Sequence, residues 1–96
     1  MLEEQISSDY RQAMREKNAI KVSTLSFLRS QLKYVMIDKK MDKLTDEEVI
    51  VVIKKQVKQR LDSIEQYQKG GRKDLVEKEQ AELNILKSYL PTEMSP

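Results

Sequence analysis

The chain has 96 residues, of which 39% are hydrophobic and 35% charged, with only two glycines and two prolines, so it has the size of one domain and the composition of an all-α protein. Its 18 basic and 16 acidic residues leave a formal charge of +2, which is too small to identify a nucleic-acid-binding protein by itself. Cysteine and histidine are absent, which excludes disulfides, thiolate metal sites and the usual catalytic bases, and no apolar run approaches the ~18 residues of a membrane span.

A first amphipathic helix is predicted over residues 2–17. Its apolar positions recur every four residues and form one narrow stripe, made of Leu2, Ile6, Tyr10 and Met14. Arg11 and Arg15 lie one turn apart beside this stripe, and we interpret them as solvated surface charges.

The second predicted helix spans residues 19–40 and follows Asn18, whose short side chain suits an N-cap. Its core positions follow the helical period and are Val22, Leu25, Leu28, Leu32, Val35 and Met36. Four basic residues and no acidic one lie between Lys17 and Ile37, so this stretch is expected to be positively charged.

The third predicted helix begins at Asp46 and ends at Lys69. Thr45 followed three residues later by Glu48 is a capping box, in which each side chain satisfies a backbone N–H of the first turn. Gly70 and Gly71 end the helix, because glycine adopts the left-handed conformation without a steric penalty. The apolar face comprises Val49, Ile53, Val57, Leu61, Ile64 and Tyr67.

A fourth amphipathic segment stops at Pro91, and its apolar positions are Leu75, Leu83, Leu86 and Leu90. The short connection over residues 41–44 favours an antiparallel pair of long helices. We therefore predict an all-α fold, a small antiparallel bundle of about four helices with two long central helices as its spine. The alternative is a long helical hairpin with a looser first helix.

Several runs of the sequence resemble one protein family. They are, in order between residues 44 and 91, LTDEEVI, KQRLDSIEQYQKGGRKDL, EKEQAEL and YLP, together with STLSFLRSQLKY over residues 23–34. In combination they resemble the YqeY family. That family is similar to the C-terminal region of the B subunit of glutamyl/aspartyl-tRNA amidotransferase, a carbon–nitrogen ligase with glutamine as its amido donor.

The resemblance implies a helical domain over residues 1–91, with residues 92–96 as a linker to a second, smaller helical subdomain. In the amidotransferases the similar region connects the catalytic body to a tRNA-contacting tail, and the chemistry resides elsewhere. The implied function is therefore a non-catalytic tRNA-associated accessory domain, without a cofactor.

Two motifs offer possible chemistry. Glu79 and Glu82, three residues apart on one helix, could act as acid and base or hold a divalent cation, but the neighbouring lysines favour an ordinary charged surface. The run GGRKD, residues 70–74, could bind phosphate at a helix start. A helix-to-helix turn is the better interpretation, since the run lacks a longer glycine-rich loop.

The candidate nucleic-acid-binding residues lie in two acid-free stretches: Lys54, Lys55, Lys58 and Arg60 on the third helix, and Lys21, Arg29 and Lys33 on the second. If these helices are antiparallel neighbours, the residues could form a continuous surface that follows a tRNA backbone without reading bases. The alternative is that they are solvated or pair with acids of the chain. Arg60 in particular could be held by Asp74 or Glu79 across the hairpin as a packing device.

A protein interface is the remaining possibility, because several apolar residues exceed the need of one small core: Tyr34, Met36, Ile37, Met41, Val51 and Val76. The partner would be an amidotransferase or aminoacyl-tRNA synthetase subunit, or a second copy in a homo-oligomer. The N-terminus carries early acids rather than a basic stretch before an apolar one, which predicts a cytoplasmic protein with no membrane contact.

Overall fold

A computed structural model describes residues 1–91 and confirms the all-α fold. Four helices follow one another: α1 over Leu2–Arg15, α2 over Ala19–Lys39, α3 over Asp46–Lys69 and α4 over Lys73–Lys87. The predicted linker over residues 92–96 lies outside the described residues.

The start of α3 has the predicted capping box. The Glu48 N–H donates to Thr45 Oγ1 over 3.2 Å, and the Thr45 N–H donates to Glu48 Oε1 over 3.0 Å. Glu48 also pairs with Lys39 at the end of α2, with Nζ and Oε2 3.1 Å apart. The Thr45 N–H bond, followed by the Lys39 ammonium, lowers the pKa of the Glu48 carboxyl. The cap therefore also ties α3 to the preceding helix.

Three helices end in the same hydrogen-bonded turn, which requires one residue with positive φ. After α3 that residue is Gly71 (φ 71°), and the Arg72 N–H donates to the Tyr67 carbonyl over 2.9 Å. After α1 and α2 the corresponding residues are Lys17 (φ 57°) and Lys40 (φ 56°). The glycine was predicted as a helix stop. The two lysines adopt the left-handed conformation despite their Cβ atoms, at a cost of about 1 kcal/mol each.

The helices pack chiefly as two hairpins, since the most extensive contacts join α3 to α4 and α1 to α2. The two long helices α2 and α3 are antiparallel, with Lys39 beside Glu48 at one end and Phe27 beside Arg60 further along. Their mutual contact is nevertheless smaller than a spine requires. The reason is that α4 packs against both and covers apolar surface that each would otherwise bury against the other.

The core contains most of the predicted positions: Ile6, Leu25, Leu28, Leu32, Val49, Ile53, Val57, Ile64, Leu83 and Leu86. Met14 and Leu61 were predicted to be buried but are exposed. Ala13 takes the buried place on α1 instead of Met14, and Leu61 is exposed although Val57 and Ile64 on the same face of α3 are buried. The sequence prediction also missed Thr24, Leu44 and Tyr89, which are buried.

Tyr89, just after α4, joins the end of the described chain to α1. Its hydroxyl donates to Asp9 Oδ2 over 2.6 Å, and its side chain is buried. Burial, followed by the bond to Asp9, raises the pKa of the Tyr89 phenol well above its ordinary value. The fold therefore favours the protonated phenol.

Replacing the strained lysines should stabilise the protein. In Lys17→Gly and Lys40→Gly the steric cost of the left-handed conformation is removed. This cost exceeds that of the extra conformational entropy which a glycine loses on folding, so each substitution should raise the free energy of unfolding by about 0.5 kcal/mol. Gly71→Ala is the matched control and should lower it by about 1 kcal/mol, because a Cβ there meets no atom within 4 Å and only the backbone is strained. Denaturant titration measures all three, and a loss of stability in both lysine variants would contradict the prediction.

The Tyr89 bond predicts an alkaline loss of stability. Since the folded-state pKa of Tyr89 lies above its unfolded value of about 10, its contribution is complete below that pH and declines as the pH rises past it. Tyr89→Phe should cost about 1–2 kcal/mol at neutral pH, because Asp9 loses its donor. Denaturant titrations from pH 7 to 11 should show a smaller alkaline loss in the variant. Parallel curves of unfolding free energy against pH for the two proteins would disprove the prediction.

Candidate nucleic-acid interface

Some of the predicted cations line a groove between α1 and α2, which we call the α1–α2 groove. It has a volume of about 1100 Å³. Arg29 and Lys33, one turn apart on α2, line it together with Arg11 on α1, and Lys43 contributes from the connection after α2. Cations from three segments of the chain therefore surround one space.

The Arg29 side chain is held in place by an aromatic ring. Its guanidinium carbon lies 4.6 Å from the centre of the Tyr10 ring of α1, a distance that permits a cation–π interaction. This contact links α1 and α2 and orders the arginine without cancelling its charge. The guanidinium N–H groups thus remain suited to phosphate oxygens.

Hydroxyl groups accompany the arginines. Ser7 and Ser8 on α1 and Ser26 and Ser30 on α2 line the same groove. The Ser30 hydroxyl donates to the Ser26 carbonyl over 3.1 Å and so is already used as a donor. Serine hydroxyls and arginine side chains together are typical contacts for a phosphodiester backbone.

The end of the groove beside this connection is acidic. Glu3 and Glu4 on α1 and Asp42 on the connection lie there with Lys43, near the N-terminal residue Met1. Glu3 and Glu4 are separated from Arg11 by about two turns along α1. The groove therefore has one end that attracts an anion and one that repels it.

The sequence prediction missed Arg11 and Lys43. Arg11 was interpreted as a solvated surface charge, and its spacing on α1 alone gives no other indication. Its role depends on the position of α2, which brings Arg29 opposite it. The only usable signal for this role was the short connection between α1 and α2, which favours packing of the two helices side by side.

The α3 candidates lie elsewhere. Lys54, Lys55 and Lys58 are exposed, and none of them lines the α1–α2 groove. Within residues 1–91 they make no ion pair with Asp62, Glu65 or the acids of α4. Lys21 is half-buried at the start of α2 and also lies outside the groove. The structure thus does not bring the two basic stretches together into one groove.

Arg60 has the structural role that the sequence left as an alternative, in which acids across the hairpin hold it. Its Nη1 lies 2.9 Å from Glu79 Oε2 and 3.2 Å from Glu82 Oε1 of α4, and its side chain is only 14% exposed. Asp74 instead pairs with Arg72 over 3.2 Å. Arg60 therefore joins α3 to α4 and does not belong to the exposed basic surface.

The two motifs considered for chemistry have structural roles. Glu79 and Glu82 share the Arg60 guanidinium, so each carboxylate has a cationic partner. Gly71 forms the helix-to-helix turn, and the Arg72–Asp74 pair lowers the pKa of the Asp74 carboxyl. Residues 1–91 contain no group of three metal-ligating side chains.

A smaller recess lies between α2, α3 and α4, and we call it the Gln56 recess. Its volume is about 170 Å³, and it is lined by Phe27, Gln56, Gln59, Arg60, Ser63 and Glu79. Gln56 is only 3% exposed, yet neither atom of its amide has a hydrogen-bond partner among the described residues. No pattern in the sequence predicted this buried amide.

Comparison with known families identifies the chain. Residues 3–96 match the family described as Yqey-like protein. The chain belongs to the YqeY-like family. This confirms the family that the sequence runs indicated, while the further likeness to the amidotransferase B subunit stays a prediction.

Several fungal proteins are similar to this chain. Two proteins named "Altered inheritance of mitochondria protein 41, mitochondrial", from Vanderwaltozyma polyspora and Kluyveromyces lactis, are 35% and 40% identical over 85 residues. The match covers 88% of this chain and 46% and 45% of those proteins. An uncharacterised protein of Schizosaccharomyces pombe is 35% identical over 86% of this chain and 67% of its own length. The chain thus spans about half the length of the first two relatives.

The prediction of a cytoplasmic protein is wrong, because several relatives are named as mitochondrial proteins. The early acids on which it rested belong to the folded helix α1, where Glu3 accepts a bond from the Leu44 N–H, and they carry no information on targeting. None of the helices within residues 1–91 has the length and apolar content that crossing a bilayer demands.

Removal of the Arg60 side chain tests its structural role. Arg60→Met leaves Glu79 and Glu82 together without a cation, and Glu82 is buried, so the free energy of unfolding should fall by about 2–4 kcal/mol. Lys58→Met on the exposed side of the same helix is the control and should change it by less than about 0.5 kcal/mol. Denaturant titration distinguishes the two variants. Equal, small effects would show that the ion pair is not structural.

Proposed function

We propose that this domain is a non-catalytic accessory domain that binds RNA, in the first place tRNA, through phosphate contacts in the α1–α2 groove. The observation that supports this most is the convergence of Arg11, Arg29 and Lys33 on one groove that also carries serine hydroxyls. Such contacts neutralise phosphates without reading bases, and they make affinity strongly dependent on salt.

The lining of the groove supports a polar, extended ligand. Sites for small molecules are mostly apolar. Charged and hydroxyl side chains from α1 and α2 line the α1–α2 groove, which has a volume of about 1100 Å³. A stretch of nucleic-acid backbone suits this chemistry better than an apolar small molecule does.

The exposed lysines of α3 have a secondary place in this proposal. Lys54, Lys55 and Lys58 add positive charge on another side of the domain, where they would increase the rate of encounter with a polyanion. The resemblance to the amidotransferase subunit supplies tRNA as the expected RNA. The chemistry on that tRNA would belong to a partner.

A second candidate function is docking of an amidotransferase or aminoacyl-tRNA synthetase subunit. The observation that favours it is an apolar stripe along α2, where side chains that are 41–68% exposed succeed one another: Ile20, Phe27, Tyr34 and Ile37. Binding through such a stripe would change little with salt, in contrast to RNA binding.

Two charge-matched variants test the RNA proposal. The triple variant Arg11→Gln, Arg29→Gln, Lys33→Gln should bind labelled bulk tRNA at least tenfold more weakly than the unmodified chain. It should also lower the slope of log affinity against log salt by about 2–3, since each lost phosphate contact removes ~0.7–0.9. Fluorescence anisotropy over a series of salt concentrations gives both numbers.

The control removes the same charge from α3. The variant Lys54→Gln, Lys55→Gln, Lys58→Gln should reduce the affinity by less than the groove variant does, although the two have equal net charge. Circular dichroism checks that both remain folded. No binding of tRNA to the unmodified chain at low salt would disprove the proposal, and equal losses in the two variants would show that the groove is not the site.

A further inference from the structure

The Gln56 recess contains polar atoms that the fold leaves unpaired. Gln56 is only 3% exposed, and neither its amide nitrogen nor its amide oxygen has a hydrogen-bond partner among residues 1–91. The Nε of Arg60, in the same recess, also lacks one. Unpaired buried groups of this kind destabilise a protein, and a leucine would fill the place of Gln56 without that cost.

The recess has the size and lining of a site for one small polar group. Its volume of about 170 Å³ equals that of several water molecules, at ~30 Å³ each. Amide, hydroxyl and carboxylate groups of Gln59, Ser63 and Glu79 supply further donors and acceptors. On the α2 side lies Phe27, the single phenylalanine of the chain, whose side chain is 48% exposed.

The charge of the recess disfavours a phosphate. The Arg60 guanidinium is shared by the carboxylates of Glu79 and Glu82, so its positive charge is already offset by two negative ones. An anion would lie against Glu79. A neutral group with hydrogen-bonding edges suits this place better than an anion does.

We infer that the Gln56 recess binds one unstacked nucleobase of the RNA, with an amino-bearing base such as adenine favoured. A carboxamide pairs with the adjacent donor and acceptor of adenine through two hydrogen bonds, and the Glu79 carboxylate accepts from an exocyclic amine. The Phe27 ring offers a face on which the base stacks. This inference rests on the proposed RNA-binding function. It adds a contact to a base, whereas the α1–α2 groove contacts phosphates only.

Contact between a base and Gln56 requires the movement of a side chain. The Gln56 amide atoms are themselves covered, so a ligand meets them only when a neighbouring side chain turns aside. Phe27 lines the recess and is 48% exposed, so its ring has room to turn. The ring then stacks on the bound base.

Titration with a nucleoside tests this inference without any phosphate contact. Adenosine added to the ¹⁵N-labelled chain should shift the side-chain amide signals of Gln56 and Gln59, with saturation in the millimolar range expected for so small a ligand. Ribose, which lacks the base, should shift neither. Gln56→Leu and Phe27→Leu should each weaken adenosine binding at least fivefold, followed on the backbone signal of Ser63.

Gln68→Leu, an exposed glutamine in the last turn of α3, is the matched control and should bind adenosine like the unmodified chain. Gln56→Leu should also unfold at a higher temperature, which shows that its lost binding does not come from misfolding. The inference is overturned if adenosine leaves the Gln56 signals unmoved up to its solubility limit. It is equally overturned if Gln56→Leu binds adenosine as tightly as the unmodified chain does.

An abasic oligoribonucleotide separates this inference from the proposed function. If the abasic strand binds in a salt-dependent manner and adenosine does not bind, the groove binds RNA and the base pocket is disproved. If adenosine binds as described and neither tRNA nor the abasic strand binds, the base pocket stands and the groove proposal fails.

Discussion

The contact of Arg60 with Glu79 and Glu82 is the constraint on which the rest of the site arrangement depends. A guanidinium that is only 14% exposed needs its carboxylates in place, and so it fixes the register of α4 against α3. That register in turn builds the wall of the Gln56 recess. It also removes one arginine from the surface available to RNA.

The α1–α2 groove depends on a different set of contacts. The Leu2 N–H donates to Asp46 over 3.0 Å, and the Leu44 N–H donates to Glu3 over 3.4 Å, so the start of α1 is tied to the connection before α3. At the other end, the Tyr10 ring lies against Arg29. These contacts hold α1 along α2 and thereby set Arg11 opposite Arg29.

Local signals predicted the helices well. Thr45 with Glu48 and the glycine pair at residues 70–71 act within a few residues, so the bounds of α3 could be predicted from the sequence. The roles of Arg11 and Arg60 could not be assigned in the same way, because each depends on side chains of another helix. The left-handed lysines at residues 17 and 40 were also missed, since the turn there is required by the packing of the next helix and not by the residue itself. The buried Gln56 breaks the apolar pattern, which is why periodicity alone overlooked it.

The bond from Tyr89 to Asp9 joins residues 80 positions apart. Such a distant contact forms late in folding, because almost the whole chain must be ordered before the two ends meet. During synthesis α1 and α2 emerge first, and their shared hairpin would keep part of its apolar side open until α4 arrives. Apolar surface on the α1–α2 hairpin therefore stays open to other molecules until α4 and the turn that carries Tyr89 have been synthesised.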